Sequence, residues 1–363
     1  MMRVVLVDDE APARARLTAL LAEAGGVTVV GEAANADDAR AVIAQVTPDV
    51  VFLDIEMPAE RGTDLAASLP EPRPFVVFAT AYERFAVDAF QYDPADYLLK
   101  PVNRQRLAQT LDRLRAKLAT RRDTEREWSA AARAQAHLLP RSLPDLPGYT
   151  MAARTLPARA VGGDFYDATI VEGRLAFVLG DVSGKGMAAG LIASSVQARW
   201  QAAMGQRDLT AVEMMTALNR DILASTEGSR YATLVHALLE PASGTIRYVN
   251  AGHPAPLVIG PAGAPIGLDV TSPAVGLLDA PAFADAAHVL APGDTLVVVS
   301  DGVTEARDAA GTDWDVAHIP TLVARHAGDC EALAAAIVAA VCTHRGHDQA
   351  QDDVTVFVLR RSA

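Results

Sequence analysis

Arg3-Val4-Val5-Leu6-Val7-Asp8-Asp9-Glu10 runs four apolar residues in succession and then stops on adjacent carboxylates. A continuous apolar run of this length reads as a strand buried on both faces, the way strands of a parallel sheet are covered. The same texture returns at residues 27–30, 50–53, 75–79 and 97–99, with helical patterns between. Residues 1–118 are therefore expected to form an α/β unit, a five-stranded parallel sheet with helices on both faces. In such sheets chemistry gathers beyond the carboxyl ends of the strands. Polar residues stand at those places: Asp8 and Asp9 after the first strand, Asp54 after the third, Thr80 after the fourth and Lys100 after the fifth.

Asp8, Asp9 and Asp54 offer the oxygen ligands that a hard Mg²⁺ ion prefers. With repulsion among the carboxylates neutralised, Asp54 can act as a nucleophile on phosphorus. Lys100 supplies a point charge for phosphoryl oxygens, and the Thr80 hydroxyl can donate to one. An isolated aspartate at a strand end is ordinarily a turn former or helix cap, so the register of the set is what matters. Val7-Asp8-Asp9-Glu10, Phe52-Leu53-Asp54-Ile55-Glu56-Met57-Pro58, Thr80-Ala81 and Leu99-Lys100-Pro101 together resemble the receiver domain family of response regulators over residues 1–118. The resemblance implies a flavodoxin-like fold, Asp54 as phosphoacceptor and a sensor histidine kinase as partner. It also implies Mg²⁺ held by Asp9, Asp54 and the backbone carbonyl of Glu56, with Asp8 acting directly or through water, and a switch pair made by Thr80 and Tyr97.

From Val102 the pattern becomes one long helix, with Leu107, Leu111, Leu114 and Leu118 forming an apolar seam. Leu107 and Leu111 are expected to pack on the receiver. Leu114 and Leu118 extend the seam past the length a receiver should cover, which predicts a homodimer through the helix. Residues 121–127 are densely charged, the face of a solvated helix, and no breaker appears until Pro140, followed by Pro144 and Pro147. Residues 119–147 thus read as a helical connector able to form a coiled coil.

Residues 148–363 differ in texture. Strand-like runs at 175–179, 232–239, 246–250, 296–300 and 354–359 surround helical stretches at 187–204 and 211–225, with Gly turns at Glu172-Gly173 and Ser243-Gly244. This predicts an α+β domain on antiparallel sheets, a β-sandwich flanked by helices. Its acidic residues fall in Gly162-Gly163-Asp164-Phe165-Tyr166-Asp167, Gly180-Asp181-Val182-Ser183-Gly184-Lys185-Gly186, Ser300-Asp301-Gly302 and Asp352-Asp353-Val354-Thr355. Each lies at the edge of a strand run, and glycine lets backbone and ion approach closely. Four such carboxylates suit a pair of Mn²⁺ or Mg²⁺ ions, which can activate a water for in-line attack on phosphate without a Cys or Ser nucleophile.

Motif order over residues 137–360 resembles the SpoIIE/RsbU-type branch of the PPM metal-dependent phosphatases, with further matches at Ala136-His137-Leu138-Leu139-Pro140, Pro157-Ala158-Arg159 and Asn250-Ala251-Gly252-His253-Pro254. The resemblance implies metal-site roles for Asp164, Asp181 with the carbonyl of Val182, Asp301 and Asp352, the last chosen over Asp353. It implies dephosphorylation of phosphoserine or phosphothreonine on a protein, by analogy an anti-sigma-factor antagonist of the STAS type. One departure concerns the general acid. Where eukaryotic-type relatives carry Gly-His after the bridging aspartate, Val182-Ser183 stand here, and His253, before a proline, is expected to be structural.

Composition agrees with a folded cytoplasmic protein: 363 residues, 50% apolar and 21% charged, with no signal-peptide pattern at the N-terminus and no apolar run of membrane-spanning length. The formal charge of −13 works against nucleic-acid binding. Two cysteines, Cys330 and Cys342, give no disulfide framework, and Cys342, His344 and His347 lack a fourth partner for zinc. Gly162-Gly163-Asp164-Phe165 lacks the glutamate of a diguanylate cyclase signature. The rival reading is a phosphorylation-controlled adaptor with a catalytically silent phosphatase fold. Retention of all four carboxylates favours the enzyme.

Overall fold

The computed structural model describes residues 1–81, 94–205, 210–261, 264–346 and 352–363. The chain divides into two compact units, Met1–Arg126 and Glu127–Ala363.

The first unit holds a parallel sheet in the order β2-β1-β3-β4-β5, built from β1 (Met2–Val7), β2 (Val27–Ala33), β3 (Val50–Leu53), β4 (Phe75–Thr80) and β5 (Asp96–Leu99). Alternation along β1 shows why its run is wholly apolar: Val4 and Leu6 enter one core, Val5 and Val7 the other. Helices α1 (Ala11–Ala24), α2 (Ala36–Val46) and α3 (Gly62–Ser68) belong to this unit, and α4 (Arg104–Ala136) starts in it. The α4 helix buries Leu107, Leu111, Leu114 and Leu118 against Met2, Val27, Val50 and Val77.

This corrects the reading of the seam. Leu114 and Leu118 are 0% and 6% exposed within the receiver's own core, so neither is left over for a partner helix. The expected homodimer rested on those two residues, and that basis is removed. The receiver covers α4 as far as Leu118.

The second unit is a sandwich of two five-stranded sheets. One runs β13-β10-β9-β8-β7, from β7 (Asp164–Val171), β8 (Arg174–Val182), β9 (Ala232–Glu240), β10 (Thr245–Ala251) and β13 (Ala286–Val289). The other runs β12-β11-β14-β15-β6, from β6 (Tyr149–Leu156), β11 (Leu257–Ile259), β12 (Pro265–Gly267), β14 (Thr295–Val299) and β15 (Val354–Arg361). All their pairings are antiparallel. Phe177 and Phe357 stack across the middle with centroids 4.8 Å apart. Helices α5 (Met187–Met204) and α6 (Ala211–Thr226) cover the first sheet, with Trp200 fully buried. Helices α8 (Ile319–Arg325) and α9 (Cys330–Arg345) cover the second, and the single turn α7 (Asp301–Thr304) follows β14. Thr210 begins α6 with a reciprocal capping box to Glu213. Among the described residues, no helix is long and apolar enough to cross a membrane.

Candidate functional site

In the first unit the strand ends converge as their register requires. Asp8, Asp9 and Asp54 each offer a carboxylate oxygen, all within 4.8 Å of one another, and Asp9 is the exposed member. Lys100 Nζ lies 2.5 Å from Asp54 Oδ2 and 2.6 Å from Asp8 Oδ2, so one ammonium bridges both buried carboxylates. Burial pushes the Asp54 carboxyl up, opposed by the hydrogen bond and charge of Lys100. Burial works against the Lys100 ammonium, yet its two carboxylate partners prevail and raise its pKa. The Glu56 N–H donates to Asp54 Oδ1 at 3.2 Å, which places the Glu56 backbone beside the cluster. Thr80 is fully buried and its hydroxyl has no hydrogen-bond partner among the described residues. Such an orphan suits an oxygen arriving on Asp54. Tyr97 is half-buried against the Phe78 face of the core, and its carbonyl accepts from Arg106 at 2.8 Å.

In the second unit, β7 and β8 pair so that Asp164 faces Asp181. The other sheet brings Asp301, just after β14, and Asp352, just before β15, to one end of that pair, with the Ser300 N–H donating to the Thr355 carbonyl at 3.0 Å. Asp164 is 6% exposed and, among the described residues, no donor meets hydrogen-bond geometry with either of its oxygens; the nearby Thr355 and Ser300 hydroxyls offset its burial only in part. A buried carboxylate so poorly matched by donors is strongly disfavoured unless a cation compensates it. The electrostatics agree. Burial and then Asp181 push Asp164 well above the carboxylate range. Burial, then Asp301 and Asp352, raise Asp181 to about 7, and burial, then Asp352 and Glu305, raise Asp301 to about 6. This donor set fits divalent cations, whose charge would reverse those shifts. Among the described residues only the receiver trio gathers its ligand oxygens within 4.8 Å.

Gly163 sits between these groups. A Cβ there would stand 2.8 Å from the Val182 carbonyl oxygen and 2.9 Å from Asp181 Oδ1, so only glycine admits the approach. The neighbouring acids Asp352 and Asp353 differ sharply. Asp353 accepts from the Ala158 N–H at 2.7 Å and the Gly163 N–H at 2.6 Å, using both oxygens to tie down the loop that precedes Asp164. Asp352 keeps a side chain 41% exposed, with Lys185 Nζ 2.9 Å from Oδ2. It lines a cleft of about 160 Å³ with Lys185, Asp301, Glu305 and Arg345.

Three features escaped the sequence. The Gln135 amide donates to the Gly162 carbonyl at 2.7 Å and accepts the Gly162 N–H at 3.1 Å, joining the last turn of α4 to the Gly162-Gly163-Asp164 loop. Trp128, on the same helix, lies against Gly186, whose Cβ would stand 3.3 Å from the indole. Asp167 accepts from Gln197 at 3.1 Å and Gln201 at 2.5 Å and is a scaffold acid. His253 is 1% exposed, hydrogen-bonded to Thr233 at 2.9 Å through one ring nitrogen with the other unpartnered among the described residues, and its pKa is lowered by burial to about 3. His344 contacts the Thr312 carbonyl at 2.9 Å, and His347 lies outside the described residues.

Comparison with known proteins follows the same division. Residues 171–362 match Stage II sporulation protein E (SpoIIE), and residues 4–112 match the response regulator receiver domain. An uncharacterized response regulatory protein of Yersinia pestis is 51% identical over 115 residues, 31% of this chain and 48% of that protein. The chain spans about half the length of the first curated relatives it matches. The RsbU and RsbW domains of Rv1364c from Mycobacterium tuberculosis superpose with a TM-score of 0.54 at 29% identity, covering 62% of this chain and 63% of that one. The SiaA-PP2C domain of Pseudomonas aeruginosa shares the fold, with a TM-score of 0.57 at 18% identity over 67% of this chain and 98% of that one.

Proposed function

Because the chain belongs to the Stage II sporulation protein E (SpoIIE) family and carries a response regulator receiver domain fused to its PPM phosphatase domain, we propose that it is a two-component regulator whose phosphoaspartate state controls dephosphorylation of a partner protein. The reading takes residues 1–118 as receiver, 119–147 as connector and 148–363 as a metal-dependent protein-serine/threonine phosphatase. The observation that carries it is Asp164, buried opposite Asp181 with no well-formed hydrogen bond to either oxygen among the described residues.

In the phosphatase, Asp164, Asp181, Asp301, Asp352 and the Val182 carbonyl would hold two Mn²⁺ or Mg²⁺ ions. Those ions supply an activated water and the positive charge that in-line displacement at phosphorus requires. The protein's part is to fix the carboxylates: Asp353 anchors the loop before Asp164, and strand pairing sets Asp164 against Asp181. In the receiver, Asp8, Asp9, Asp54 and the Glu56 carbonyl would hold Mg²⁺, which neutralises the carboxylates during phosphoryl transfer. Asp54 is the acceptor, Lys100 is placed to hold phosphoryl oxygens, and the unpartnered Thr80 hydroxyl is the donor that an arriving oxygen would draw inward.

A sensor histidine kinase is the phosphoryl source in this reading, and the substrate is a phosphorylated STAS-type protein. The receiver match supports the kinase, and the STAS-type substrate rests on the resemblance to the RsbU-type branch, to which the likeness to the RsbU domain of Rv1364c adds. Phosphorylation is expected to activate, through Tyr97 and α4, whose last turn holds Gly162 through Gln135. The test is phosphate release from a phosphoserine STAS-type protein with Mn²⁺, with excess chelator, and with beryllofluoride on the receiver. Full activity in excess chelator, or none on any phosphoprotein despite bound Mn²⁺, would overturn the reading. The second outcome would favour the adaptor.

A further inference from the structure

We propose that Arg345 is a positioning residue of the acidic cleft, setting the separation of Asp301 and Asp352 through the backbone of each turn. The proposal rests on the reading of those carboxylates as metal ligands. Arg345 ends α9 and is 8% exposed. A guanidinium is rarely buried unless its donors are engaged. Among the described residues no carboxylate lies within ion-pair distance of it. Its two terminal nitrogens donate to carbonyls instead, Nη2–H to Gly302 and Nη1–H to Asp352 at 3.3 Å, while Nε–H has no partner among the described residues. One carbonyl follows Asp301 directly in the chain, and the other is Asp352's own.

Those two turns already touch. A Cβ on Gly302 would stand 1.8 Å from the Asp353 carbonyl oxygen, so only glycine lets them meet. The Ser300 hydroxyl donates to that same carbonyl at 3.3 Å and accepts from the Thr355 N–H at 2.9 Å. Strand pairing and the Ser300 bonds fix the two turns at their base, but the Gly302 and Asp352 carbonyls lie beyond the last paired residues, where each turn keeps some freedom. A planar fork reaching a carbonyl on each removes that freedom, which a single-headed ammonium cannot do. The guanidinium also lines the cleft beside Asp301 and Asp352, so its fixed charge lies close to both carboxylates. Partners that orient metal ligands from behind typically change metal affinity by about 10–100-fold when lost.

The experiment uses the full chain carrying Asp9→Asn and Asp54→Asn, so that the receiver carboxylates no longer compete for metal. Mn²⁺ is titrated by calorimetry against this protein and against the same protein with Arg345→Lys or Arg345→Met. Both substitutions should weaken Mn²⁺ binding by about 10–100-fold. The metal-free Arg345→Lys protein should melt close to its parent, and raised Mn²⁺ should restore its kcat. An unchanged Mn²⁺ isotherm in folded Arg345→Lys overturns the proposal, as does a kcat loss that saturating Mn²⁺ does not repair. If neither variant folds, Arg345 is a scaffold residue and the proposal is overturned. A parent chain that takes up no Mn²⁺ overturns the metal-site reading itself, and the proposal falls with it.

Discussion

Replacing Asp353 by asparagine, and in a second protein Asp352 by asparagine, puts the structural asymmetry of this pair to the test. Asp353 is 7% exposed and takes two backbone N–H groups, from Ala158 and Gly163, at 2.7 and 2.6 Å. Hydrogen bonds to a charged acceptor contribute about 1.5–3 kcal/mol each, and a buried donor left unsatisfied costs about 1–3 kcal/mol. Asparagine keeps one acceptor oxygen but turns an NH₂ toward the other N–H. The gross loss is therefore about 3–5 kcal/mol. Removing one negative charge also relieves Asp164 and Asp181, both of which feel Asp353. Allowing about 1 kcal/mol for that relief leaves a net loss of about 2–4 kcal/mol, or roughly 5–12 °C in Tm for a domain of this size. Asp352→Asn removes a half-exposed pair with Lys185 and at the same time relieves Asp181 and Asp301, so its Tm should move by no more than about 2–4 °C. Differential scanning calorimetry reads the stabilities, and phosphate release at saturating Mn²⁺ reads the chemistry. Asp353→Asn should keep turnover within about tenfold of wild type, whereas Asp352→Asn should lose about 100-fold or more through its missing ligand. An Asp352→Asn protein with normal turnover, beside a stable but inactive Asp353→Asn protein, would reverse the assignment and refute the reasoning.

Gln135→Ala should cut the response to beryllofluoride by at least about tenfold, because the Gly162 loop loses two hydrogen bonds to α4; an undiminished response in phosphate-release assays would dissociate the clamp from signalling. Asp54→Ala should abolish any beryllofluoride effect on turnover while Mn²⁺-dependent basal release persists, and an effect that survives the substitution would place the signal elsewhere. His236, fully buried and accepting from Trp200 at 3.1 Å, has its pKa lowered by burial to about 4. Its stabilisation is present above the unfolded value of about 6.5 and is lost as pH falls through 4, about 3 kcal/mol in all. Urea melts between pH 7 and 4 should show that slope flattened in His236→Gln, and an equal slope in both proteins would refute it.

Much of this was legible in the primary structure because strand ends carry chemistry in both folds. Asp8, Asp54, Thr80 and Lys100 follow apolar runs that could only be strands, and their convergence needs nothing beyond a parallel sheet. Asp164 and Asp181 were legible in kind, since each adjoins glycine at a strand edge. Their opposition depends on the β7–β8 register. What escaped is long-range. The bond from Gly163 to Asp353 spans 190 positions, and β6 pairs with β15 from the far end of the unit. Gln135 and Arg345 look like ordinary helix residues, because their carbonyl partners lie on turns that only tertiary packing brings near. Leu114 and Leu118 were misjudged for a related reason: periodicity shows that a face is apolar, not what covers it.

The buried Asp96 network determines where this receiver can be cut from its output. Asp96, at the start of β5, has a side chain only 6% exposed and takes Arg106 at 2.5 Å, Thr110 at 2.7 Å and Arg113 at 3.2 Å. Burial alone would raise its pKa, yet those partners hold it low. A chimera joined upstream of Arg106 would strand that carboxylate without its main cation, and a largely buried charge left unpaired destabilises the fold, although the Arg106 side of the pair is partly solvated. A transplanted receiver therefore has to carry α4 as far as Leu118, and swaps of signalling modules at the last strand should yield insoluble protein while swaps beyond that leucine should yield interchangeable parts.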